Sequence, residues 1–148
     1  MASFVFTETG PQFGDSTCFG TAAGQSTDTD IGKIVKLGAL GHNHVLATSG
    51  DEIEGFVMTV EPFTRNDGFS FGTVERVTSG YRKVVDVAAA QVGTVDPGDL
   101  VVAGTQIALG TAGNPKVITG TPTKYLWRCI RIITGTGAAG DSVLIERI

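Results

Sequence analysis

His42-Asn43-His44 is the one arrangement in this 148-residue chain whose residue types and spacing would suit a metal ion. Alternate residues of a strand point the same way, so two imidazoles two apart would face one cation. The pattern resembles the His-x-His of cupins, which wants a glutamate shortly afterwards and a further histidine. Thr48 and Ser49 stand where that glutamate would be, Glu52 comes too late, and the chain has only these two histidines. A solvated turn carrying two polar rings is therefore expected, with no metal and no cofactor. Cys18 and Cys129 stand alone, outside any CxxC or Cys/His ligand spacing, and read as small buried hydrophobes left unpaired in a reducing compartment. Asp96 and Asp99 flank Pro97-Gly98 like paired carboxylates, but side-chain oxygens so placed accept backbone N–H groups within a turn. A nucleophile elbow and a phosphate loop are both missing. Gly135-Thr136-Gly137-Ala138-Ala139-Gly140 precedes a strand rather than a helix, so it offers a phosphate no helix N-terminus. No catalytic residue is expected, and the chain reads as a non-enzyme.

The elements around these residues are β. Short β-prone runs broken by glycine-rich turns are expected at 33–37, 53–60, 69–77, 82–88, 100–103, 106–109, 116–118, 125–133 and 142–147. Asp96-Pro97-Gly98-Asp99 reads as a turn that launches a strand: Pro97 presets φ at the first corner and Gly98 accepts a positive φ at the second. Gly50-Asp51 and Gly140-Asp141 repeat the device, at spacings too irregular for a solenoid or propeller. Asn66-Asp67-Gly68 reads as a hairpin connection. Only 84–92, through Ala88-Ala89-Ala90-Gln91, competes as helix, and Gly93 ends it.

Residues 1–30 differ from the rest. Phe4, Val5, Phe6, Phe13 and Phe19 are spread among Gly, Thr, Ser, Asp and Gln, which describes an extended N-terminal arm with apolar anchors. The anchors would either fold back on their own domain, or Phe4-Val5-Phe6 would add as a strand to an edge on another chain. The expectation is thus an all-β fold, a compact β-sandwich or small β-barrel (β-tulip or jelly-roll-like) over 31–148, with the arm preceding it.

The run 125–133 is the strongest strand. Alternation places Leu126, Arg128, Ile130 and Ile132 on one face and Trp127, Cys129, Arg131 and Ile133 on the other. A strand apolar on both sides is central or lies at a subunit contact, where Arg128 and Arg131 would need carboxylate or carbonyl partners. Glu146 and Arg147 read as solvated edge charges.

Composition narrows the partners. Fifteen Asp and Glu against eleven Lys and Arg leave a net charge of −4, without the electrostatic footprint of a nucleic-acid binder. Charged residues are 18% of the chain, below the roughly 25% of an average soluble domain, which leaves neutral surface for other subunits to cover. No run approaches the about 18 apolar residues of a membrane span. Met1-Ala2-Ser3-Phe4-Val5-Phe6 lacks the basic and apolar regions of a secretory signal, so synthesis in a cytoplasm is expected.

An aromatic-bearing arm, then Ile-Glu-Gly-Phe-Val, Val-Asp-Pro-Gly-Asp-Leu-Val and a final Gly-Ala-Ala-Gly-Asp-Ser-Val-Leu-Ile-Glu resemble the small head decoration, or cement, proteins of tailed bacteriophages. The likeness covers 31–148 and rests on turn-and-strand patterns. It implies a virion protein on the capsid exterior, bound to the major capsid protein, often as a homotrimer, with an arm that adds a strand to the capsid protein. Val-Asp-Pro-Gly-Asp-Leu-Val-Val-Ala-Gly also resembles the turn and strand of lipoyl and biotinyl carrier domains. Met58-Thr59-Val60, however, holds no lysine to modify. A cupin-like metal-binding module is the remaining alternative.

Overall fold

The computed structural model describes residues 14–19, 28–39, 43–64, 70–75 and 77–148. Ten strands follow one another: β1 Gly14–Phe19, β2 Ile34–Leu37, β3 Asn43–Leu46, β4 Gly55–Thr64, β5 Ser70–Glu75, β6 Arg82–Val87, β7 Val101–Ala103, β8 Lys116–Thr119, β9 Trp127–Ile132 and β10 Ser142–Arg147. The described residues hold no α-helix, only one turn of 3-10 helix at Asp28–Asp30. The architecture is two packed five-stranded sheets. The first closes into a barrel in the order β1-β3-β2-β4-β5, and the second runs β7-β8-β6-β10-β9. All pairings are antiparallel except β1 with β3 and β6 with β8. A bridge between Leu100 and Arg128 joins the two ends of the second sheet, so it too is curled.

One turn, used five times, builds this architecture. It occurs at Asp30-Ile31-Gly32-Lys33, Thr48-Ser49-Gly50-Asp51, Thr78-Ser79-Gly80-Tyr81, Asp96-Pro97-Gly98-Asp99 and Ala138-Ala139-Gly140-Asp141. In each, the fourth N–H donates to the first carbonyl, at 2.9–3.0 Å. The third residue is a glycine at φ between 85° and 98°, and no other turn residue has a positive φ, which makes the turn type II. Each glycine N–H then donates to one residue of a distant strand, whose own N–H returns a bond to the residue after the glycine. The partners are Val57, Ala103, Arg147, Cys129 and Val87 in turn. Each turn therefore fixes the register of the strand that follows it. Where the fourth residue is Asp, its carboxylate also accepts the first residue's N–H: Asp51 from Thr48 at 2.7 Å, Asp99 from Asp96 at 2.9 Å and Asp141 from Ala138 at 3.1 Å.

The core has two parts. Val35, Val57 and Val74 fill the barrel, while Ile34, Ile53 and Phe56 turn outward to meet Val85, Val101, Val117, Trp127, Val143 and Ile145 of the second sheet. Trp127 is the joint. It is fully buried, meets Phe56 and Tyr81 edge-on at 5.7 and 6.1 Å between ring centroids, and donates Nε1–H to the Ile53 carbonyl at 3.0 Å.

Several sequence expectations change. Asn43 and His44 lie on β3, not in a solvated turn: Asn43 is buried, and β3 bonds to β2 and β1. Sheet pairing overrides the weak β propensity of Asn-His. The segment 106–109 is a loop, because the buried Gln106 side chain makes backbone-like bonds itself, accepting from Ile34 N and donating to the Gly104 and Lys116 carbonyls. β9 ends the second sheet instead of lying at its centre. Glu146 is on β10, an interior strand between β6 and β9, so it is not an edge charge. Part of the stretch expected as arm, Gly14–Phe19, is β1, paired with β5 and β3 of its own barrel. Phe4, Val5, Phe6, Phe13, His42 and Asn66-Asp67-Gly68 lie outside the described residues.

Candidate docking surface

Several carboxylates among the described residues hold backbone rather than converge on a cavity. Glu52 accepts the N–H groups of Thr123, Lys124 and Tyr125, tying the loop before β9 to the barrel. Glu54 accepts Leu37 N at 2.6 Å. Asp86, buried on β6, accepts from Ser142 Oγ at 2.7 Å, Asn114 Nδ2 at 3.1 Å and Ala112 N at 3.3 Å, and so pins the loop between β7 and β8. The cleft of about 300 Å³ beside it is lined by Asp86, Leu109, Thr111 and Lys116 among others. Its one buried carboxylate is already engaged by that loop.

The Thr123 N–H, then those of Lys124 and Tyr125, hold the Glu52 carboxyl below its ordinary 4.5. A depressed carboxyl contributes stability that is present above its unfolded value and lost as pH falls through the folded one. Glu52→Gln is therefore expected to flatten the acid limb of a thermal-stability profile below about pH 4.5, by about 1 kcal/mol or less because the group is solvent-facing. An unchanged acid limb would remove this account of the loop.

Nucleophile chemistry fares no better. Burial, with the nearby Asp99 and Asp96, pushes the Cys129 thiol up, the reverse of what a reactive thiolate needs. Cys129 is a free, buried cysteine. Burial and then Glu75, which accepts its hydroxyl, push the Tyr81 phenol far up. Among the described residues no three His, Cys, Asp or Glu side chains cluster as a metal site, and no helix is long and apolar enough to cross a membrane.

No protein-family model, no curated protein and no solved structure matches the chain. Its surface must therefore be read on its own terms.

Two apolar side chains stand almost wholly in solvent on braced loops. Val92 is 92% exposed, and its loop is held by Gln91, whose amide accepts Thr119 N at 2.8 Å and donates to Thr119 Oγ1 at 3.1 Å. Ile107 is 88% exposed, while its carbonyl accepts the Lys33 ammonium, itself buried against Asp30 at 2.5 Å, and its neighbour Gln106 clamps both sheets.

Arg128 and Arg131 lie on the outer face of the second sheet, and both are exposed. A bulge explains why the two share that face. Cys129 opposes Ile145 and Arg131 opposes Leu144, leaving Ile130 as an extra residue. The facing pattern shifts by one, so Ile132 packs on the core and Arg131 turns outward. Arg128 pairs with Glu146 at 3.2 Å, and Arg82 approaches the same carboxylate at 3.6 Å. Arg131 has no carboxylate partner among the described residues. Phe19 ends β1 opposite Ser70. The bulge and the turn at Gly32 are the features sequence reasoning missed, whereas Ser79-Gly80 does mark the turn at Gly80.

Proposed function

We propose that this chain is a non-enzymatic structural protein that coats the exterior of a tailed-bacteriophage capsid, bound to the major capsid protein and self-associated as a trimer. The observation that carries the reading is the display of Val92 and Ile107. Burying an apolar side chain on a partner yields about 1.5–3 kcal/mol, and the bracing of both loops removes much of the ordering cost of docking. The resemblance in turn-and-strand pattern supplies the partner. β1 adds a tether: it fixes Gly14 opposite Glu75 in the barrel, and Phe4, Val5, Phe6 and Phe13 precede it in sequence as the stretch we assign to strand addition on the capsid protein. The carrier alternative would need a modifiable lysine at a hairpin tip, whereas Met58-Thr59-Val60 lies within β4.

Purified protein added to expanded, undecorated shells should co-sediment with them to saturation and raise the temperature at which the shells rupture. Shells that sediment without the protein, and rupture at an unchanged temperature, would overturn the reading.

A further inference from the structure

The charge of this chain is divided between its two sheets. The stretch 14–75, within which the barrel strands lie, holds nine acidic and three basic residues, a net of −6; residues 77–148, within which the second sheet lies, hold five acidic and seven basic, a net of +2. Three of those seven basic residues, Arg82, Arg128 and Arg131, share one exposed face. Val143 and Ile145 of β10 point into the core, so Leu144 and Glu146 point out. Strand register sets Arg82, Glu146 and Arg128 in a row across β6, β10 and β9, and Val84, Leu144 and Arg131 in the next. The result is an apolar centre, Val84 and Leu144, beside three guanidinium groups, of which Arg82 and Arg128 share the Glu146 carboxylate and Arg131 has no carboxylate partner among the described residues.

The barrel offers the counterpart. On the outside of β4 and β5, Met58, Phe71 and Glu61 are exposed around Thr59 and Thr73, whose hydroxyls lie 2.8 Å apart. Val57 and Val74 point the other way, into the barrel. This face carries exposed apolar side chains, Met58 and Phe71, on either side of the threonine pair, and belongs to the acidic half.

We infer that the arginine face of β6, β10 and β9 docks on the outer β4–β5 face of a second copy of this chain, head to tail. The inference deepens the self-association proposed above and rests on it, but not on the capsid. Two unlike patches make a heterologous contact, which closes into a ring when the rotation between copies allows it. Guanidinium groups suit such an interface, because their planar forks bind carboxylates while their flat faces cover apolar surface. Opposite net charge on the two halves steers the faces together and disfavours like-on-like docking. A nucleic acid fits the arginine face less well. Glu146 sits in the middle of the row, an apolar row lies beside it, and the chain as a whole is at −4.

Sedimentation velocity of the full chain tests this. In about 50 mM salt the wild type should sediment as an oligomer, and in about 500 mM salt it should shift toward monomer as screening shortens the reach of its charges. Arg131→Glu, which breaks no ion pair among the described residues, should weaken association at least tenfold with an unchanged thermal melt. The Arg82→Glu/Arg131→Glu variant should be monomeric, as should Glu61→Arg/Phe71→Ala. Mixed in equal amounts, those two should form a one-to-one dimer and nothing larger, because each retains one intact face. A salt-indifferent oligomer unaffected by Arg131→Glu would overturn the inference and leave the trimer reading standing. A wild type that is monomeric at both salts would overturn both. Binding of a labelled single-stranded oligonucleotide that Arg131→Glu abolishes, with self-association unaltered, would assign the face to nucleic acid instead.

Discussion

Trp127→Ala is expected to destabilise the chain by about 3–5 kcal/mol, the range for removing a large aromatic from a core that does not collapse around the void. The indole touches both sheets: its ring meets Phe56 from the barrel and Tyr81 from the second sheet, and its N–H satisfies Ile53 O. Lys83 reinforces the joint by placing its ammonium 4.9 Å from the Phe56 centroid while pairing with Glu75 at 2.8 Å. Trp127→Phe should lose less, because it keeps an aromatic surface and forfeits mainly the bond to Ile53. Denaturant unfolding followed by far-ultraviolet circular dichroism gives both numbers, since the chain's one tryptophan is the residue removed. A loss under about 1 kcal/mol for the alanine variant would mean that the sheets are not held at this residue.

The second large effect separates the arm from the barrel. Removing residues 1–12 should leave the melting temperature unchanged, because β1 begins at Gly14. Removing residues 1–25 deletes β1, strips β5 and β3 of a neighbour and opens the barrel over Val35, Val57 and Val74. A loss of about 3 kcal/mol or more is expected, the scale of disrupting a core. Equal melts for the two truncations would show that β1 contributes nothing to the closed barrel.

The β character and the strand starts were legible because the turns advertise them. Gly-Asp before an aliphatic run marks a positive φ and a carboxylate that caps its own turn, and three such sites, at Asp51, Asp99 and Asp141, take that form. Gly32-Lys33 and Gly80-Tyr81 make the same turn without the carboxylate; Ser79-Gly80 still marks the second, while the first was harder to read. β1 and β3 were hidden because Gly-Asp-Ser-Thr and Asn-His carry little β propensity; their strand state is imposed by neighbours distant in sequence. The outward turn of Arg131 was illegible for a different reason. Period-two alternation predicts a face only while the ladder stays in register, and the bulge at Ile130 depends on what β10 presents opposite. Gln106 misled through composition: apolar neighbours suggested a strand, whereas the amide itself supplies the bonds a strand would have made to Ile34 and Lys116. The docking surface proposed above was visible only in outline, as a low charge fraction, until exposure singled out Val92 and Ile107.

Association with the capsid is the central claim, and a co-sedimentation titration with expanded shells tests it most directly. Wild type should bind saturably. Removal of residues 1–12, or Phe4→Ala with Phe6→Ala, should weaken binding strongly while the free proteins melt as wild type, each buried aromatic being worth about 1.5–3 kcal/mol. Wild-type protein that stays in the supernatant at every concentration would contradict the account.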